Sequence, residues 1–309
     1  MHRNNTSNKN ISCRDVLKKL ASKNNLIFSI SFLILILISY LLFHNISSKN
    51  NIDYNIDNIK LNKYNTKSEN KELISLNTVK NERDLINDNR GIPVLYYHSV
   101  RESADNEVTI TPNMLRTQLK YIKDEGYKAL TINELKDYIL NNSPIPHKSI
   151  VITFDDGYMD NYSCAFTILK DLNMIATIFC ITSELDGSYY LSKDAIVEMS
   201  NYGIDIQSHT VNHPKLDKFT YDEQLIELIN SKKTLESITG KKVDSIAYPF
   251  GNFNDDSIKA AKDAGYTLGF TTKRGLSDRG DNPLKLDRIY ISSKYDMNIF
   301  KELLNKTEK

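Results

Sequence analysis

The sequence predicts an α/β domain of parallel strands joined by helices over residues 91–309. Three observations predict it. Apolar, β-rich runs alternate with capped helical patterns throughout this stretch. The three motifs that carry chemistry all fall where a strand should end, and the segment has an ordinary size for one domain with a single core.

Taken in order, Ile92–Tyr97 reads as the opening strand, and Thr111-Pro112 then starts a helix that runs to about Glu125. Thr131-Ile132-Asn133-Glu134 is a capping box, in which the Thr and Glu side chains satisfy each other's backbone N–H groups, so a second helix begins there. Strands are expected at 149–154, 175–181, 204–207, 245–248, 266–270 and 286–291. Thr220-Tyr221-Asp222-Glu223 is a second capping box, and Gly240 and Gly265 stand where helices should stop. The spacing, with helices between strands, argues for parallel pairing in βα units. Periodicity does not choose between an open doubly wound sheet and a closed barrel.

Upstream of the domain, residues 26–43 are uncharged and mostly Leu, Ile, Phe, Ser and Tyr. At about 1.5 Å per residue this suffices for a transmembrane helix. Six basic residues before it, against the single acid Asp15, give residues 1–25 a charge of +5 and predict a cytoplasmic N-terminus with the bulk of the chain outside. A cleaved signal peptide fits less well, because the apolar run is long and residues 45–49 lack a small-x-small cleavage site. Residues 44–90 are polar, and from Asn45 on hold 12 Asn with no Gly and no Pro, which reads as an extracellular linker unable to bury a core. The overall charge is +1, which leaves about −5 for residues 91–309 and no basic stripe for nucleic acid. Cys164 and Cys180 leave room for one bridge, but with no disulfide framework they read as two buried thiols.

Two short segments hold the chemistry: Thr153-Phe154-Asp155-Asp156-Gly157-Tyr158 and Ser208-His209-Thr210-Val211-Asn212-His213-Pro214. Together they offer two carboxylates and two imidazoles. A catalytic divalent ion takes about three protein ligands and keeps a position for water, with a base nearby. Imidazoles four residues apart can face one ion from a helical turn or a compact loop, but not from a strand. Singly these motifs are weak, since Asp-Gly marks turns and His pairs also sit on solvated helices. Their joint occurrence at strand ends, followed by Tyr248-Pro249-Phe250-Gly251, is the stronger signal.

These residues resemble the polysaccharide deacetylase family, carbohydrate esterase family 4, over nearly all of residues 92–309. The resemblance implies a distorted (β/α) barrel and hydrolysis of N-acetyl groups on amino-sugar polymers. Residue by residue, it implies Asp155 as the general base and Asp156, His209 and His213 as ligands of one divalent metal ion. Zn is the first expectation, with Co, Ni or Mn as others. Phe250 would offer its N–H to the oxyanion, beside Tyr248 and Pro249 on the substrate side.

The chain departs from the family pattern in three places. The late Leu-x-His that supplies the acid is Leu286-Asp287-Arg288 here, and no His follows His213. His98, in Pro93-Val94-Leu95-Tyr96-Tyr97-His98, is the candidate acid, because this opening strand looks like that of poly-N-acetylglucosamine deacetylases in which the acid is moved forward. The other reading of His98 is an imidazole satisfied by backbone in the core. His147 sits before a strand, at the wrong end. The usual Arg two residues before the Pro is Ala247, with Arg288 as the candidate substitute, and the chain has no Trp to line an acetyl pocket. Tyr248, Phe250 and Leu286 are the expected apolar walls.

Three functions are therefore in play. The favoured one is a membrane-anchored deacetylase of an extracellular N-acetylglucosamine polymer, either an exopolysaccharide or the glycan of peptidoglycan in the cell envelope. The alternatives are a catalytically impaired, metal-containing carbohydrate-binding protein and an amidohydrolase for some small amide. Retention of Asp155 favours an enzyme over a binder, and the anchor and linker favour a polymer over a small amide.

Overall fold

The computed structural model describes residues 85–305 apart from residue 105. The expected cytoplasmic segment and transmembrane helix, and nearly all of the linker, lie outside the described residues. In chain order the elements are β1 (Leu85–Ile86), β2 (Val94–Tyr97), β3 (Ser99–Val100), β4 (Thr109–Ile110), α1 (Pro112–Asp124), β5 (Lys128–Ala129), α2 (Ile132–Asn141), β6 (Ile145–Pro146) and β7 (Ser149–Phe154). A π-helical turn, Asn161–Phe166, runs into α3 (Thr167–Leu172) and is followed by β8 (Thr177–Cys180), α4 (Lys193–Tyr202), β9 (Asp205–Ser208) and α5 (Tyr221–Thr239). The chain ends with β10 (Ser245–Ala247), α6 (Asp255–Asp263), β11 (Leu268–Arg274), β12 (Leu286–Tyr290) and α7 (Met297–Asn305).

Seven parallel strands close into a barrel in the order β2, β12, β11, β10, β9, β8, β7 and back to β2. Each of these strands was expected from the sequence. Closure is the pairing of Val94, Leu95, Tyr96 and Tyr97 with Val151, Ile152, Thr153 and Phe154. The barrel is uneven: β9 and β10 share the single pair Ser208 with Ile246, and the register of β11 on β12 shifts between Phe270 and Arg274.

The expected capping chemistry is in place. Thr111 caps α1, with its side chain accepting from Met114 N–H, and the boxes Thr131/Glu134 and Thr220/Glu223 are both reciprocal. Gly240 ends α5 in the left-handed conformation that a side chain disfavours. Cys164 and Cys180 are free thiols, Cys180 buried and Cys164 half-buried.

Period-two alternation decides what fills the barrel. Val94, Val151, Phe179, Ala247, Leu268, Phe270 and Leu286 form one apolar cluster, whereas Leu95, Ile152, Ile178, Ile206, Ile246 and Ile289 pack in the larger cluster with the helices. Fully burying a side chain such as Phe270 or Leu286 contributes roughly 1.5–3 kcal/mol. The inner cluster continues into Ile132, Leu135, Tyr138 and Ile139 of α2, which covers the amino ends of the strands. Lys136 of this helix pairs with Asp244 at 2.9 Å, just before β10. One end of the barrel is thereby plugged with apolar side chains, which leaves the carboxyl end for chemistry.

Leu85 and Ile86 pair antiparallel with Pro146 and Ile145. Arg90 reaches the Tyr138 hydroxyl through its N–H at 2.9 Å. The folded unit thus takes in residues just before position 91.

Candidate active site and metal centre

Asp155 follows β7 in the inward-facing row of Val151 and Thr153, and is only 3% exposed. Arg288, fully buried, lies on the inward row of β12 with Leu286. The two form a two-pronged ion pair, Nη1 to Oδ1 and Nη2 to Oδ2, each 2.8 Å. Arg288 also donates from Nε to the Thr271 carbonyl at 3.0 Å and lies 4.2 Å from the Tyr96 ring centroid. Burial pushes the Asp155 carboxyl up, but the Arg288 charge and its hydrogen bonds outweigh this and hold it below the ordinary carboxylate value. Arg288 therefore takes the place next to Asp155 that Ala247 cannot fill.

Asp156, His209 and His213 converge beside this pair. Asp156 Oδ1 is 3.4 Å from each histidine Nε2, and the two Nε2 atoms are 3.2 Å apart. A four-coordinate ion with bonds of about 2.0–2.2 Å separates its donors by about 3.3–3.6 Å, so the three atoms are already spaced for one small divalent ion. His209 Nδ1 is 2.7 Å from the Ala247 carbonyl; as the donor there, it leaves Nε2 for a ligand. His213 is pushed down to about 4 by burial and by the neighbouring His209 charge, and is neutral at neutral pH. His209 is pushed down by burial but raised further by Asp156, so its shift is upward.

The histidines are carried on a compact loop, not a helical turn. Thr210 and His213 have φ of +69° and +53°, and Asp156 and Phe250, elsewhere in the site, have +72° and +57°. Only two other described non-glycine residues have positive φ, Asn142 and Asn173, and both end helices. Among the described residues, backbone strain is concentrated at the site.

The cavity above these groups has a volume of about 320 Å³, and His98, Tyr158, Ile181, Tyr190, Tyr248, Phe250 and Thr272 join the four polar residues around it. His98 Nδ1 is buried without a hydrogen-bond partner, so the backbone-satisfied imidazole is not what the structure contains at that atom. Burial lowers the His98 pKa, against the opposing charges of Asp155 and Asp156. The turn Pro249–Gly251 follows β10, and its Phe250 is 57% exposed, with the ring centroid 4.4 Å from that of His213. Tyr248 is buried, donating to the Leu284 carbonyl at 3.0 Å. Leu286 is the exception among the expected walls. It packs inside the barrel, and Ile181 and Thr272 line the cavity in its stead.

Tyr158 closes the first motif, and the sequence assigns it no role. It stacks on Tyr190, with centroids 5.3 Å apart, and burial and Asp156 both raise its phenol pKa. The motif reads on from Gly157 into this residue, so proximity was legible; its partner Tyr190 was not. A larger cavity of about 500 Å³, lined by Arg90, His147 and Lys148, lies at the amino end of the barrel, as His147's position before β7 implied.

Comparison with known proteins agrees with this geometry. The family model described as polysaccharide deacetylase matches residues 142–269. YxkH of Bacillus subtilis, assigned by name to the polysaccharide deacetylases, is 34% identical over 201 residues, covering 65% of this chain and 71% of that protein. The poly-β-1,6-N-acetyl-D-glucosamine N-deacetylase of Staphylococcus epidermidis is 30% identical over 237 residues, covering 67% and 81%. The structure of Streptococcus pyogenes deacetylase PplD in complex with acetate superposes with a TM-score of 0.67 at 32% identity, covering 72% of this chain and all of that one. The chain belongs to the polysaccharide deacetylase family. It is an enzyme of that class, a hydrolase that acts on a polysaccharide.

Proposed function

We propose that this enzyme is metal-dependent and removes N-acetyl groups from an extracellular polysaccharide containing N-acetylglucosamine, an exopolysaccharide or the glycan of peptidoglycan. The observation that carries this reading is the meeting of Asp155 with the Asp156, His209 and His213 donors in one cavity. The name of the Staphylococcus epidermidis relative supports the choice of sugar.

Asp156, His209 and His213 would hold the ion, and one carboxylate with two imidazoles suits Zn best, with Co, Ni or Mn as alternatives. Such an ion, when bound, supplies a water of lowered pKa and a positive partner for the acetamide carbonyl. Asp155 takes the water's proton as general base, and Arg288 keeps its carboxylate ionised and aimed. The Phe250 N–H, on its left-handed turn between Pro249 and Gly251, donates to the acetamide oxygen as negative charge builds there. A donor of this kind contributes about 2.7–4 kcal/mol to the transition state. His98, across the cavity, gives a proton to the leaving amine. Tyr248 and Phe250 bound the acetyl pocket in a chain without Trp. Residues 26–43 anchor the enzyme in the cell membrane, with the N-terminus cytoplasmic and the catalytic domain outside on its linker. No feature of the site favours the impaired binding protein.

The test is acetate release by the whole chain after chelation and readdition of Zn, Co, Ni or Mn, on poly-N-acetylglucosamine and on peptidoglycan. Metal-dependent acetate from one polymer, abolished in Asp155→Asn with metal content unchanged, is the expected result. Absence of acetate from both, with metal bound, would overturn the reading in favour of the carbohydrate-binding alternative.

A further inference from the structure

Glu227 is a carboxylate on α5 that the proposed chemistry does not use, and it is only 7% exposed. Its Oε2 accepts hydrogen bonds from the successive backbone N–H groups of Val211 and Asn212, both at 2.9 Å. Its Oε1 accepts from Asn212 Nδ2 at 2.6 Å. Among the described residues no ion pair to Glu227 is found. A buried carboxylate needs donors, and here those donors all belong to the loop between His209 and His213.

That loop is gripped from its other side as well. The N–H groups of Thr182 and Ser183 donate to the Thr210 and Val211 carbonyls at 3.2 and 3.0 Å. Between the two grips, Thr210 and His213 keep the positive φ values that Thr and His seldom adopt. His213 is itself one of these two residues, and its Nε2 lies 3.2 Å from that of His209.

On the reading of Asp156, His209 and His213 as a metal site, we propose that Glu227 is a positioning residue that holds the histidine loop at the spacing one ion requires. Its hydrogen bonds go to Val211 and Asn212 and to none of Asp156, His209 and His213. Outer partners that orient ligands commonly change metal affinity tenfold to a hundredfold when removed.

The experiment measures Zn(II) and Co(II) affinity of the metal-free full chain by competition with a chromogenic chelator, together with the melting temperature with and without ion. Glu227→Ala is expected to bind either ion tenfold to a hundredfold more weakly. Its metal-dependent rise in melting temperature should shrink at fixed ion concentration, as linkage requires. Glu227→Gln should stay within a few-fold of wild type, since its carbonyl oxygen accepts both backbone N–H groups and its amide can pair with a turned Asn212 amide. Unchanged affinity in Glu227→Ala would overturn the proposal. So would a loss of melting temperature in the metal-free protein with the metal-dependent rise intact, which is a purely structural role. Should Glu227→Ala fail to fold, Asn212→Ala decides: several-fold weaker binding supports the assignment, and unchanged binding overturns it. No polymer enters the assay. A chain that binds zinc but releases no acetate would sink the deacetylase reading and leave Glu227's role standing, and the reverse outcome is equally distinguishable.

Discussion

Replacing Arg288 by Met would remove the only guanidinium that, among the described residues, is hydrogen-bonded to Asp155, and leave a carboxylate 3% exposed beside the apolar interior of the barrel. Breaking a buried ion pair from one side costs about 3–5 kcal/mol, because the remaining charge is uncompensated. In a domain of this size each kcal/mol shifts the melting temperature by about 2–4 °C, so a fall of about 6–20 °C is expected near neutral pH. The sign of the pH dependence should reverse. In the wild type the lowered Asp155 pKa contributes stability that is present above the unfolded value near 3.9 and lost as pH falls through the folded value. In Arg288→Met, burial is opposed only by the charges of His209 and His98 and raises the folded pKa. Stability from this group is then present at low pH and lost as pH rises through the raised value. The same change moves the acid limb of kcat/KM upward, because a protonated Asp155 cannot act as the base. Thermal melts and pH–rate profiles of Arg288→Met and Arg288→Lys are the assay. Lys keeps the charge but loses the fork, so its acid limb should shift less. An acid limb that stays at the wild-type position in a folded, metal-loaded Arg288→Met would refute the reasoning.

Other substitutions test the remaining parts of the site. His98→Ala should lower the chemical step by about 10²–10⁴ at unchanged metal content; an unaltered kcat on the polymer would move the acid role elsewhere. Gly251→Ala should reduce kcat and the melting temperature together, because Gly251 has φ +69° and an added Cβ would sit 1.9 Å from Thr272 Oγ1. Wild-type kinetics and stability for Gly251→Ala would mean that the turn carrying Phe250 adapts freely.

Much of the chemistry was legible because its signals are local. The Asp-Asp-Gly and His-x-x-x-His segments are contiguous, so recognising them requires no knowledge of what lies opposite. Capping boxes at Thr131 and Thr220 were readable for the same reason, since a residue and its N3 partner lie within one turn of helix. Leu286 was misplaced as a pocket wall although its strand was correct. Its inward-facing row serves the packed interior at one level and the site at the next, and only Arg288, two residues on, reaches Asp155.

The sequence by itself determined the seven barrel strands and the capped helices between them, their parallel βα order, and which residues offer carboxylate and imidazole donors. Closure of the sheet, which the family resemblance implies and periodicity leaves open, is made by the tertiary structure, since a pairing such as Val94 with Val151 joins strands that each have their own local signal and no signal for the other. Only the tertiary structure decided that Arg288, the candidate for the guanidinium lost at position 247, reaches Asp155, and that Glu227 grips the loop between His209 and His213. These partners lie 133 and about 15 residues apart in the chain. Periodicity assigns each side chain to a face, whereas which faces meet is fixed by barrel closure and register.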